Sequence, residues 1–525
     1  MNRILVIGVI VAGFATPGHG QDLARKIDAL IDAANAEAGQ PVAEIADDAE
    51  FFRRVNLDFS GVIPTVEESK QFLADTDPNK RARAIDRLLG DTENYARRMR
   101  EAFHVHLMER RGENKLWQAW LEKSFAENKP WDQITREIIR ADFRDEPNRG
   151  AAFFYTKRLE KSGQNPTDYP GLTRDVGRLF LGIDLQCAEC HNHRLIDDYN
   201  QIDFQGLFAA FSNLTLLRLE YPAVEEKLMK SKLEYASVFT GKPREVAPRI
   251  PGLGEIEVAV FEKGEEYVQV PDRKTKTPGV PKFSPLTEFA KQIPESPNFS
   301  KNMANRLWFL LMGRGLVEPM DQFHSENQAS HPELLELLGQ EFATKKFDIK
   351  WLLRELALTK TYQRASRIPE EKVAPPERFA VAVQRRLSAE QLMWSTILAT
   401  GHEPDNVQLE DIEPEDDDAD EIPGLRSRFH DAMANEPKTP EYEFSPSMKS
   451  ALLMMNDPEV LKLIDAMADE NATVDGLYLQ IFSRLPDADE KAEWTKFLTE
   501  AKDRRAAVRD LAWAMLTSTE FVVNH

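Results

Sequence analysis

Between positions 22 and 38, Leu23, Ile27, Leu30, Ile31 and Ala34 recur at three- and four-residue intervals, which aligns them along one face of an amphipathic helix. The same period runs through most of the chain. Thr65 and Glu68 stand at capping-box spacing ahead of a helix that ends near Ala74, and Asp77 is placed to cap a following helix closed by Gly90. Further helices are expected over 95–110, 115–128, 131–141 and 173–185. Ser330 with Glu333 and Ser388 with Gln391 repeat the capping-box spacing before two more. β-rich runs occur between Glu255 and Val270, flanking Lys263 and Gly264 as an expected hairpin. The pattern predicts a mainly α fold, with two helical domains joined by a short Pro/Gly-rich connector that carries a small β-hairpin.

The breaks in the pattern place the boundaries. Pro243, Pro248, Pro251, Gly252, Gly254, Pro271, Pro278, Pro281 and Pro285 crowd one stretch, so 236–284 is expected to be the connector between an N-terminal domain at 21–235 and a C-terminal domain at 285–525. A second break at 403–421 holds eleven acidic residues and no basic one, the composition of a solvated loop. Residues 1–20 have secretory signal anatomy: Arg3, an apolar run from Ile4 to Ala15, then Pro17 and small residues. That run of twelve is short of the roughly 20 residues that span a bilayer. The mature chain is therefore expected to start near Gln21, to lie in the periplasm or outside the cell, and to contain no integral membrane span.

Composition refines this picture. With 525 residues, 42% hydrophobic and 30% charged, the chain has ample apolar surface for cores, which excludes global disorder. A formal charge of −21 argues against nucleic acid or anionic lipid as partner, although the acidic loop alone supplies about half of it.

Only two cysteines occur, Cys187 and Cys190, and His191 follows them. Cys-x-x-Cys-His is the attachment sequence of a c-type haem: two thiols one turn apart reach the two vinyl groups, and the next residue offers an imidazole to the iron. On this reading one haem c is held covalently by Cys187 and Cys190, with His191 as iron ligand. Two alternatives stand beside it. Zinc could be bound by Cys187, Cys190 and His193 with a remote fourth ligand, and the cysteines could form a disulfide or redox pair. No sixth haem ligand is legible; His104, His106, Met99 and Met108 read individually as ordinary helix side chains. A second polar group, Asp321, His324, Glu326, Asn327 and His331, is either a site facing the haem, with His331 or Asp321 handling protons, or a loop that binds its own backbone. There is no phosphate-binding glycine loop, His-Glu-x-x-His helix or nucleophile elbow, so no catalytic residue is assigned and enzymatic activity stays open.

Longer motifs carry a resemblance. FLGIDLQCAECHNHRLIDDYNQIDFQGLFAAF at 180–211, NLDFSGVIPTVEESKQFLAD at 56–75 and DRLLG at 86–90 resemble the planctomycete cytochrome c-associated domain, domain of unknown function 1549. NRLWFLLMGRGLVEPMDQF at 305–323, SHPELLELLGQEF at 330–342, RRLSAEQL at 385–392 and LTSTEFVVNH at 516–525 resemble its usual partner, domain of unknown function 1553. The resemblance implies a secreted bacterial protein of a family that often carries a separate cytochrome c module in front. Here fewer than 40 residues separate Gln21 from the first motif, too few for such a module, so the haem expectation rests on the internal Cys-x-x-Cys-His-x-His. The function expected is that of an exported c-type haem protein with an electron-transfer or redox role and a redox protein as partner. The alternative is a non-redox periplasmic binding or assembly protein whose Cys/His cluster holds a structural metal or a disulfide.

Overall fold

A computed structural model describes residues 20–161, 163–272, 274, 277–367, 374–402, 424–435 and 448–525. The expected signal segment and the acidic loop at 403–421 lie outside the described residues. Helices dominate, and their ends follow local chemistry. Asp47 caps Asp48–Phe59 by accepting from the amides of Ala49 and Glu50. Thr65 with Glu68, and Ser388 with Gln391, form both bonds of the capping box, opening Val66–Ala74 and Ala389–Ala399. Asp77 is not the cap of Lys80–Gly90: it stands two residues ahead of the N-cap, Asn79, and accepts from the Asn79 amide at 2.7 Å. Ser330 is not a cap. Pro332 occupies the first helical position of Pro332–Thr344, so His331 becomes the N-cap and the Ser330 amide donates to the Leu316 carbonyl instead.

The connector departs from the expected single hairpin. Lys263 and Gly264 lie in a turn without flanking strands, and Tyr267–Gln269 pairs with Val280–Pro281 instead. Three more antiparallel pairs precede it: Leu214–Leu216 with Val224–Glu226, Leu233–Ala236 with Pro243–Val246, and Arg249–Ile250 with Gly254–Glu255. The prolines explain their shortness, because a residue without an N–H cannot extend a ladder.

Hydrophobic packing does not divide at this connector. One buried cluster runs from Leu23 to Phe379 and includes Phe299, Met303 and Trp308 of the helix Pro297–Met312. Phe211 and Phe289, on either side of the connector, meet edge to face with ring centroids 5.3 Å apart. A second cluster spans Leu387 to Phe521 and takes in Leu57 and Ile63 from the N-terminal part. The helix Asp48–Phe59 therefore serves both cores. Asp58 sits between them, 1% exposed, accepting two bonds from Arg385 at 2.9 Å, one from Tyr362 Oη at 2.8 Å and one from Asn524 Nδ2 at 2.9 Å. Among the described residues no helix is long and apolar enough to cross a membrane.

Asp58→Ala leaves the half-buried Arg385 without its carboxylate and Tyr362 Oη and Asn524 Nδ2 without their acceptor, and should lower stability by about 3–5 kcal/mol in denaturant melts. Glu226 accepts from Ser284 Oγ and the Leu286 amide, while burial pushes its carboxyl up to about 7. The folded state then holds a proton that the unfolded state releases near the ordinary carboxylate range. Stability is highest below that range and falls as pH rises through 7. Glu226→Gln should flatten the fall in thermal midpoint between pH 5 and pH 8, leaving the parallel contribution of Glu355, also raised to about 7.

Candidate functional site

The helix Tyr169–Leu181 ends at Gly182, whose φ of +69° and crowded α-carbon suit glycine alone: a Cβ would fall 2.7 Å from the Phe323 ring. The Phe323 amide donates to the Gly182 carbonyl at 2.9 Å and Ile183 bridges to Gln322, so the 318–324 loop is stitched to the end of this helix. The chain then makes one 3₁₀ turn, Cys187–Glu189. Side chains three apart eclipse in such a turn, which puts both thiols on one side. Ala188 anchors the turn in the core, while Cys187 and Cys190 are exposed and unpaired. Gln205 Nε2 donates to the Glu189 carbonyl at 2.8 Å, and the Val238 amide to that of Cys190 at 3.2 Å.

The two histidines are in opposite states. His191 Nδ1 lies 2.6 Å from the Asn192 carbonyl, which can only accept; Nδ1 therefore carries the hydrogen, and in the neutral ring Nε2 keeps its lone pair. Its ring rests on Phe239 with centroids 4.7 Å apart, and Phe239 is itself 59% exposed. His193 Nδ1 instead accepts from the amides of Leu195 and Ile196, at 3.1 and 3.0 Å. That spends the Nδ1 lone pair and leaves the hydrogen on Nε2 in the neutral ring, so His193 ties the loop and offers no donor for zinc. Among the described residues no three His, Cys, Asp or Glu side chains gather as a metal site.

Of the second polar group, the structure brings His324 to the motif. Tyr199 stands edge-on to His193 at 6.3 Å and to His324 at 5.3 Å, its hydroxyl donating to the Phe323 carbonyl. Burial lowers the His324 pKa, partly offset by Asp198 and Glu326. Asn327 bonds the carbonyls of Gln322 and Glu318, as a self-binding loop does. His331 is buried against Phe379, and Asp321 pairs with Arg178 at 3.0 Å; neither faces the thiols. His104 is satisfied in the core by Trp117 Nε1 and Glu113, and Met99 and Met108 are fully buried.

His106 lines a different feature, a cleft of about 490 Å³ between the two cores. Its carboxylates are each held by protein donors: Asp58 by Arg385, Glu101 by Trp394 Nε1, Glu109 and Asp321 by Arg178, Glu390 by Arg110. Arg306 donates toward His106 Nδ1 at 3.3 Å and to the Arg178 carbonyl at 3.0 Å. Sequence reasoning missed this cleft. Its sequence signal is charge placed on otherwise apolar stretches, as with Asp58 within FFRRVNLDF.

Fold and site together define a mainly α protein of two domains that displays a Cys-x-x-Cys-His turn on its surface. Residues 26–215 match the family model PSCyt2, a protein of unknown function (DUF1549), and residues 287–498 match PSD1, a protein of unknown function (DUF1553); the chain belongs to the two-domain family that joins them. No curated protein and no solved structure matches the chain.

Removing the His193 ring should free two amides. His193→Ala is expected to raise the hydrogen-exchange rates of Leu195 and Ile196 by an amount equivalent to about 1–3 kcal/mol of local opening, with global stability little changed.

Proposed function

We propose that the chain is an exported c-type haem protein with an electron-transfer role. Cys187 and Cys190 would hold the haem through thioethers and His191 Nε2 would face its iron. The observation that carries this reading is the tautomer of His191. A backbone carbonyl on Nδ1 fixes the ring and directs the Nε2 lone pair away, the arrangement typical of histidine ligands. The fit extends to the surroundings. Two unpaired thiols share one turn, and the His191 ring rests on the exposed Phe239, an apolar face that suits a porphyrin edge. When bound, such a group supplies one-electron redox chemistry, tuned by its axial ligands and exposure. The protein's own part is to orient the His191 ring, to hold the turn rigid through Gln205 and Val238, and to present it at the surface, where a redox partner can approach.

The unpaired, exposed thiols also favour a second reading, a non-redox periplasmic binding or assembly protein in which Cys187 and Cys190 close a disulfide. The zinc version is weaker because His193 has no lone pair to give.

Export in a host competent for haem attachment decides between them. The expected product shows a c-type pyridine haemochrome that survives acid acetone extraction, is lost in Cys187→Ser and in His191→Ala, and persists in His193→Ala. A colourless protein from that host, or an unchanged spectrum in His191→Ala, overturns the haem reading; a colourless protein two hydrogens lighter than the dithiol supports the disulfide.

A further inference from the structure

The hairpin that pairs Leu233–Ala236 with Pro243–Val246 reaches the cysteine turn at its tip. There the Val238 amide donates to the Cys190 carbonyl, and Gln201 Nε2 donates to the carbonyls of Glu189 and Ala236, tying turn and strand together. The Phe239 ring touches both the His191 ring, with centroids 4.7 Å apart, and the Arg194 guanidinium, 4.9 Å from its centre. These contacts still leave Phe239 59% and Val238 66% exposed, and Leu195, next to Arg194 in the chain, is 80% exposed. Large apolar side chains bared together in this way mark an interaction surface. Charge identifies what fits it. Between 227 and 246 the chain carries five basic residues and two acidic ones, the reverse of its overall 67 basic to 88 acidic. Arg194, Lys242 and Arg244 are exposed and enter no salt bridge among the described residues. The neighbouring carboxylates are engaged elsewhere. Glu189 faces Arg174 at 3.7 Å, and Asp198 accepts from the Ser325 amide. Glu234 and Glu245 oppose each other across the hairpin, on the face away from Arg244. The three cations therefore outnumber Asp197, the one carboxylate between 189 and 198 left without a cation or an amide.

We propose that the hairpin tip and the cysteine turn form one docking surface for the acidic face of a partner protein, with Val238 and Phe239 at its centre and Arg194, Lys242 and Arg244 setting the charge it selects. A bare aromatic beside an arginine is the composition that protein interfaces favour. Positive charge confined to one region of an anionic molecule draws in a negative face and orients it. That the partner is a redox protein rests on the haem reading of Cys187, Cys190 and His191; the acidity of its face does not. A porphyrin edge against Phe239 is apolar as well, so it leaves the chemistry that the partner meets unchanged.

The test uses the full exported chain as purified, with its absorbance recorded first, so that colour decides the haem and a separate titration decides the docking. The probe is a short fluorescein-labelled peptide in which one Phe and one Leu stand among glutamates, compared by anisotropy with the same peptide carrying glutamines for the glutamates. The expected result is saturable binding of the glutamate peptide, about tenfold tighter than of the glutamine peptide and weakening with salt. Lys242→Glu with Arg244→Glu should weaken it about tenfold, with the thermal midpoint and any haem spectrum retained. The same charge change at Lys496 and Lys502, in the C-terminal domain, should leave it unaltered. Should the hairpin pair not fold, Lys242→Glu alone reads a loss of about threefold. Equal affinity for the glutamine peptide, no saturable binding, or equal loss in the hairpin and C-terminal variants overturns the proposal. Dimerisation of the chain at low salt that vanishes in the hairpin variant overturns it too, giving the surface to a second copy. A colourless chain that still binds the glutamate peptide upholds the docking surface and removes only the redox character of its partner.

Discussion

The architecture depends on three charged side chains buried in one short helix. Within Asp48–Phe59, Arg53, Arg54 and Asp58 are almost wholly inaccessible. An ion taken out of water costs several kcal/mol unless its hydrogen bonds are replaced. Replacement here draws on distant segments. Arg53 donates to the carbonyls of Ile481 and Phe521; Arg54 donates to those of Tyr362, Arg364 and His525 and to Glu50. Asp58 adds Arg385 and Asn524. Apolar contacts would let these segments slide, but directional bonds to named carbonyls do not. The helix thereby fixes the register of the C-terminal end against the N-terminal core, and the pairing of Arg385–Arg386 with Val523–Asn524 is assembled around it.

A second guanidinium does for the site what Arg53 and Arg54 do for the fold. Arg178 holds Glu109, Asp175 and Asp321 at 2.8 to 3.0 Å. Burial alone would raise the Asp175 pKa, yet Arg158, Arg111 and Arg178 hold it down to about 2. That hub closes one wall of the cleft and pins the loop bearing Asp321, and the same loop carries Phe323 to Gly182 and His324 to Tyr199.

What the sequence revealed was local, and what it concealed was long-range. Thr65 with Glu68 and Ser388 with Gln391 were legible because both partners of each box lie within one turn. Ser330 misled because Pro332 fixes its own φ and moves the helix start by one residue. The hairpin about Lys263 failed because the partner of Tyr267 is Pro281, on the far side of several prolines, and no alternation pattern encodes that choice. The cysteine turn was legible from spacing alone. The state of its histidines was not, since it depends on whether each Nδ1 meets a carbonyl, as in His191, or amides, as in His193. The cleft was hidden for the same reason: its pairs join Asp58 to Arg385, Arg110 to Glu390 and Arg178 to Asp321, far apart in sequence.

The cleft and the cysteine turn lie on either side of one backbone bridge, in which Gly182 and Ile183 meet Gln322 and Phe323. This placement constrains both. The bridge admits no side chain at Gly182, so the helix that lines the cleft and the turn that bears the thiols are joined rigidly and at close range. Arg178 and Asp321 tie the helix that lines the cleft to the stitched loop, beside the direct chain connection through Gly182. The acidic character of the chain does not bear on this arrangement, because about half of the −21 charge belongs to a loop outside the described residues.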